Sequence, residues 1–171
     1  VNPSQFNNDK DFLSYPKNEA IDTKLLGKNN CSVTYLPNVR DIYPKGLKVV
    51  PKVKEFRDIL CDKYRPGHFD GVTTVVERLF DIVQPDYVFF GEKDYQQLKI
   101  IKSLVHLLKL PVQVVACPSI RNSNGMSLST RYKNFNKEQK ILFSSLSKII
   151  KKNIIKIKKN INNFNEITLK K

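Results

Sequence analysis

The sequence has no apolar run long enough to cross a bilayer; its densest apolar stretches are as short as Tyr87-Val88-Phe89-Phe90 and Leu142-Phe143. It is also poor in cysteine. Cys31, Cys61 and Cys117 are odd in number, far apart and without a C-x-x-C pair, which argues against a disulfide framework or a zinc knuckle and for a reducing, cytoplasmic setting. The two histidines, His68 and His106, are distant and lack E-x-x-H spacing, which argues against a zinc enzyme. No G-x-S-x-G, Walker A or G-x-G-x-x-G motif occurs, and there is no internal repeat. Acidic residues are few, 16 against 30 Lys and Arg, for a formal charge of +14. Half of that excess lies in residues 148–171, which carry eight Lys and only Glu166. Charge gathered in a Lys-, Asn- and Ile-rich tail with Phe164 as its only aromatic suits neither a shaped polyanion site nor base stacking, so no sequence-specific nucleic acid partner is expected. The chain opens at Val1-Asn2-Pro3 with no initiator Met and no basic-then-apolar leader, and it reads as a fragment entered at the end of a strand.

What is present is 171 residues, 40% hydrophobic, enough for one domain with a real core or one domain plus a tail. Residues 2–17 are loop-like, 18–26 predict a short polar helix, and 32–36 a strand. Residues 37–67, punctuated by four prolines, predict ordered loop across a surface. Val72, Val75, Val76, Leu79, Phe80 and Val83 recur at helical spacing, and Gln84-Pro85-Asp86 stops the pattern. Residues 87–90 predict a strand buried on both faces, Leu98, Ile101, Leu104, Val105 and Leu108 a second helix, and 112–116 a second buried strand. Strand, helix, strand at this spacing is a right-handed βαβ unit, so the sheet is at least partly parallel and ligands are expected beyond the carboxyl ends of its strands. A last helical pattern covers 136–155, after which no period is clear.

Two constellations fall at that sheet edge. Gly91-Glu92-Lys93-Asp94 occupies the βα turn, where a helix N-terminus and an ammonium suit a polyphosphate. The same residues could serve the helix alone, with Asp94 as its cap and Lys93 solvated. Ser127-Leu128-Ser129-Thr130-Arg131, after the turn Asn122-Ser123-Asn124-Gly125, offers hydroxyls and a guanidinium to a developing phosphate charge, or simply a cap for the next segment. Gln96-Gln97 starts the helix that Lys93 opens, with Gln97 three residues after Asp94 and on its face. Gln5, in a loop, gains interest only from this company. His68 lies in a loop where a histidine could be functional, and His106 reads as a helix-surface or core residue.

Val-Asn-Pro-Ser-Gln-Phe (1–6), Tyr-Pro-Lys (15–17), Arg-Pro-Gly-His-Phe-Asp-Gly-Val (65–72), Phe-Gly-Glu-Lys-Asp-Tyr-Gln-Gln (90–97) and Leu-Ser-Thr-Arg (128–131) occur in that order. Together they closely resemble the pantoate–β-alanine ligase family over about residues 1–140. The resemblance implies an α/β, Rossmann-like nucleotidylyl-transferase fold with a partly parallel sheet, truncated at its N-terminus. It implies a nucleotide- and pantoate-binding domain over 1–133, and a Lys-rich helical start of a C-terminal domain over 134–171, whose end is expected to be disordered. It further implies a homodimeric cytoplasmic enzyme that activates pantoate with Mg²⁺-ATP to pantoyl adenylate and transfers the acyl group to β-alanine. By position, Gly91, Glu92, Lys93, Asp94, Ile120, Leu128, Ser129, Thr130 and Arg131 would contact ATP. Gln5 and Gln97 would hold pantoate, with Gln5 also near β-alanine, while Lys93 and Arg131 would act in catalysis as pyrophosphate departs. The family's His-x-Gly-His turn is absent, Thr130 stands for a second Ser, and Lys17 stands where Arg is usual. An acidic pair that some members use for Mg²⁺ appears as Ile21-Asp22, leaving only Asp22. The chain alone is therefore expected to be inactive; a basic nucleic-acid-binding module and a non-catalytic remnant are the competing expectations.

Overall fold

In the computed structural model, residues 2–6, 9–50 and 52–160 are described, in two compact units, Val1–Pro118 and Ser119–Lys171. The first unit is built around a βαβ element: strand β1 (Tyr87–Gly91), helix α6 (Tyr95–Leu107) and strand β2 (Gln113–Cys117). The strands pair in parallel with Tyr87 opposite Gln113 and Gly91 opposite Cys117, so both carboxyl ends lie at one edge. Before them come α1 (Asp9–Ser14), α2 (Glu19–Lys28), α3 (Val39–Ile42), α4 (Leu60–Tyr64) and α5 (His68–Val83). Asn18 caps α2 by accepting the Ile21 N–H at 3.3 Å.

The α5 periodicity puts Phe69, Val72, Val75, Val76 and Phe80 into a core shared with Ile100, Ile101 and Leu104 of α6. Val83, at the end of that pattern, is 56% exposed, because Gln84 turns into the left-handed region and ends the helix. Ile42, Tyr43 and Val53, from the proline-rich stretch, complete the core, and Arg78 of α5 donates to the Ile42 carbonyl at 3.1 Å to hold α3 in place.

Four sequence expectations need correction: residues 2–17 and 37–67, read as loop, contain helix α1 and helices α3 and α4 respectively, and two strand readings also fail. Residues 32–36 form no strand: Val33 is 79% exposed and the segment has no ladder partner among the described residues, so β propensity finds nothing to pair with. The two strands are not buried on both faces either. Val88, Phe90 and Val114 pack against the core, whereas Tyr87 and Phe89 point outward and are exposed, because α5 and α6 cover only one side of this two-stranded sheet. The reading of Val1 as a strand end lies outside the described residues.

A close approach fixes the start of the chain. The turn Pro3–Gln5 lies against α5 so tightly that a Cβ added at Gly71 would sit 1.8 Å from the Ser4 carbonyl oxygen. Ser4 Oγ donates to the Gly71 carbonyl at 3.2 Å, and Asn2 Nδ2 donates to Tyr43 Oη at 2.9 Å. Gly71→Ala is therefore expected to push this turn off α5 and cost about 1–3 kcal/mol, the usual range for overpacking. Chemical denaturation, with the Asn2–Phe6 amide shifts followed alongside, checks it.

The second unit contains a turn at 122–125, the antiparallel bridge Arg121–Ser127, a 3₁₀ segment Thr130–Asn134 and helix α7 (Lys137–Asn160). Residues 161–171, including the part of the tail expected to be disordered, lie outside the described residues. All three cysteines are free, and no helix among the described residues is long and apolar enough to cross a membrane.

Candidate functional site

Gly91 ends β1, and the 3₁₀ turn Glu92–Asp94 runs directly into α6. Gly91 has an ordinary φ of −71°, and a Cβ there would meet only the Lys93 amide nitrogen, at 4.0 Å. Nothing among the described residues demands glycine at that point. Asp94 occupies the position before α6 but makes no capping hydrogen bond, and it faces Lys93 instead. Lys93 Nζ lies 3.4 Å from both Asp94 carboxylate oxygens, a long contact between two side chains that are 39% and 62% exposed. Such a pair is worth little in water. The ammonium and the helix N-terminus therefore stand at the strand's carboxyl end, where α/β sheets bind ligands.

The two adjacent glutamines divide their work. Gln96 Oε1 accepts the Cys61 N–H at 2.9 Å, and its Nε2 donates to the Phe56 and Ile59 carbonyls, both at 2.9 Å. That fork holds a loop in which Phe56, Asp58 and Leu60 all take positive φ (61°, 57° and 48°). Gln97 is half-buried, and its amide has no partner among the described residues. Gln5, at the end of its 3₁₀ turn, likewise leaves its side-chain amide without a partner there, while its carbonyl oxygen is doubly engaged. His68 Nδ1 is 2.7 Å from it and Arg65 Nη2 donates to it at 3.0 Å. His68 is thus a structural ligand of the Gln5 backbone, not an open loop histidine. Burial, and secondarily Arg65, lower its pKa from the ordinary 6.5, against the raising effects of the Gln5 bond and of Asp62 and Asp94. His106, by contrast, is exposed near the far end of α6, in a groove with Lys102, Val105 and Lys109, away from the strands' carboxyl ends.

A polar cluster that sequence reasoning missed supports the base of α5. Arg57 forks Asp70 through Nη1–Oδ1 at 2.9 Å and Nη2–Oδ2 at 2.8 Å, and its Nε lies 3.5 Å from Asp62 Oδ2. Asp62 and Asp70 are 4% and 7% exposed, and Asp62 Oδ1 is buried with no hydrogen-bond partner among the described residues.

In the second unit, Ile120 and Leu128 are joined by a backbone hydrogen bond from the Leu128 N–H to the Ile120 carbonyl, at 2.9 Å, and both side chains are exposed. Asn122 Oδ1 accepts the Asn124 and Met126 N–H groups, which shapes the turn between them. Ser129 stands at the head of the segment Thr130–Asn134 without capping it, and Thr130 and Arg131 are exposed. Asp22 is exposed on α2, and no group of three or more potential metal ligands occurs among the described residues.

A parallel strand–turn–helix of this kind belongs to the α/β class, and solved structures share the fold. A Francisella tularensis pantoate-beta-alanine ligase, described as complexed with beta-gamma ATP and beta-alanine, matches with a TM-score of 0.82 at 38% identity, covering 88% of this chain and 58% of that one. A pantothenate synthetase from Thermus thermophilus matches with a TM-score of 0.81 at 37% identity, covering 86% and 54%. The fold is thus the nucleotidylyl-transferase-like one. The family model for pantoate-beta-alanine ligase matches residues 1–170, and the chain belongs to that family. Curated relatives named pantothenate synthetase include those of Porphyromonas gingivalis, 40% identical over 150 residues, and Shouchella clausii, 48% identical over 134. These alignments take in 88% and 78% of this chain but 53% and 44% of the relatives, so the chain spans about half their length.

Proposed function

We propose that this chain carries the adenylate-forming part of a pantoate–β-alanine ligase. The observation that carries the reading is the βα turn, which offers an uncapped helix N-terminus and a loosely held Lys93 while the Gln97 amide stays unpaired among the described residues. In the proposed reaction a pantoate carboxylate oxygen attacks the α-phosphorus of ATP and the bond to the β-phosphate oxygen breaks, releasing pyrophosphate. The β-alanine amine then attacks the acyl carbon, AMP leaves with the bridging oxygen, and pantothenate results. Gly91, Glu92, Lys93, Asp94, Ile120, Leu128, Ser129, Thr130 and Arg131 contact ATP; Gln5 and Gln97 hold pantoate, with Gln5 also beside β-alanine. Lys93 and Arg131 meet the charge that grows on departing pyrophosphate. Mg²⁺ would be brought by the nucleotide's phosphates, with Asp22 the carboxylate of this chain offered to it; no group of three or more potential metal ligands occurs among the described residues. The domain reading, 1–133 for nucleotide and pantoate and 134–171 as the start of a C-terminal domain, belongs to this proposal. So do a homodimeric state and a cytoplasmic location.

Titration of ATP into the isotope-labelled chain tests it. The Gly91 and Lys93 amides should shift, and Lys93→Ala should abolish the response; a silent turn overturns the reading. Because so much of the relatives' length is not spanned, β-alanine-dependent AMP release by the 171-residue chain alone is expected far below about 1 s⁻¹, the low end of ordinary turnover.

A further inference from the structure

We propose that Arg65 and His68 are positioning residues for the reaction: together they clamp the Gln5 carbonyl and so aim the Gln5 side-chain amide at the hydroxy-acid. This rests on the reading of Gln5 as a pantoate contact, and it assigns a task to two side chains outside that contact set.

The chemistry of the three groups settles who donates. A guanidinium has only donors, so Arg65 Nη1, 3.1 Å from His68 Nε2, must donate to it. Nε2 is therefore the bare nitrogen, and the ring proton sits on Nδ1, 2.7 Å from the Gln5 carbonyl. Arg65 Nη2 supplies the second donor to the same oxygen at 3.0 Å. Arg65 thus sets the imidazole tautomer and shares its load. Ser4 and Asn2 tie down the preceding residues, through Gly71 and Tyr43, so the Gln5 backbone is held on both sides while its side chain stays unbound.

The clamp has one titratable member. The charged groups acting on His68 are Arg65, Asp62 on α4 and Asp94 in the turn before α6; its nearest ring neighbour is the uncharged Phe69. Protonation at Nε2 would set a donor against the Arg65 donor and put two cations together. With the folded pKa lowered from 6.5, the neutral clamp is complete above about pH 6.5 and is lost as the pH falls through the lower folded value.

The experiment is a pantoate titration of the isotope-labelled 171-residue chain, read at the Gln5 and Gln97 side-chain amides, in wild type, His68→Phe and His68→Asn, with thermal melts. His68→Phe should weaken pantoate about tenfold, the scale of one lost oriented hydrogen bond. His68→Asn, which keeps a donor of similar reach, should recover most of that loss even though both variants melt alike. Equal affinity in wild type and His68→Phe overturns the clamp, and so does a loss that tracks the melts with no rescue by Asn. A wild-type ring carrying its proton on Nε2 overturns it as well. If neither glutamine responds to pantoate in wild type, the functional reading fails. The clamp is then decided by pH: the Gln5 and Phe6 amides should move with the His68 midpoint in wild type and not in His68→Phe, and their failure to do so overturns it.

Discussion

In a chain extended to the full length of its relatives, Lys93→Ala is expected to slow pantoate-dependent ATP–pyrophosphate exchange by at least about 10²-fold, with a stability change of no more than about 0.5 kcal/mol. Both halves follow from where the side chain stands. Lys93 contributes nothing to the core, and its one ion pair among the described residues is long and exposed, so its removal leaves neither a cavity nor a buried orphan. In the proposed reaction, however, the ammonium at the turn after β1 would meet a leaving group on which charge concentrates as the bond breaks, and a cation at that point stabilises that state more than the reactants. Gln97→Ala should behave differently. An amide that orients a hydroxy-acid binds ground and transition states alike, so the variant should need more pantoate at a similar limiting rate. One exchange assay with thermal melts compares the two. Wild-type exchange by Lys93→Ala, or a collapsed melting temperature, contradicts the role given to this turn.

The largest expected loss of stability is at Arg57. Arg57→Ala should cost about 3 kcal/mol, the lower end for breaking a buried ion pair, because the guanidinium is itself 26% exposed. The loss is mostly not that of attraction. It comes from leaving Asp70 and Asp62 as carboxylates in a site nearly closed to water, where Asp62 Oδ1 already lacks a hydrogen-bond partner among the described residues. If so, Arg57→Ala with Asp70→Asn should be less destabilised than the sum of the single changes, since the second substitution removes the orphaned charge. Denaturant unfolding of the four proteins in this cycle supplies the numbers, and simple additivity would contradict the account.

How much of this was legible in the sequence depended on the range of the interaction. Helix α5, helix α6 and the parallel pair were legible because their apolar periods are local and strong. The turn at Gly91 followed from them, since a strand and a helix joined by so short a segment leave no other place for it. Residues 32–36 misled because β-branched and aromatic content measures fitness for a sheet and not the presence of a neighbour. The division between Gln96 and Gln97 was hidden: Gln96's partners lie 35 to 40 residues earlier in the chain, in a loop whose left-handed residues include no glycine to announce them. Arg57 and Arg65 were hidden for the same reason, each reading locally as one basic residue among many. The spacing of Arg65 and His68 was visible, but its target, the carbonyl of Gln5, carries no side-chain signature at all.

The parallel pairing of β1 and β2 also constrains the order in which this chain can acquire its structure. The strands run in the same direction, so no hairpin can bring Tyr87 beside Gln113; their ladder must wait until α6 has carried the chain back along the sheet. Helix α6 in turn takes a large share of its apolar partners from α5, where Val72 joins Ile100, Ile101 and Leu104 in one core. Docking of the two helices is therefore expected to precede strand pairing, with the βα turn that bears Lys93 taking shape late in the first unit. Core substitutions on the facing sides of α5 and α6 should accordingly slow refolding, while truncations within the strands should act mainly by hastening unfolding.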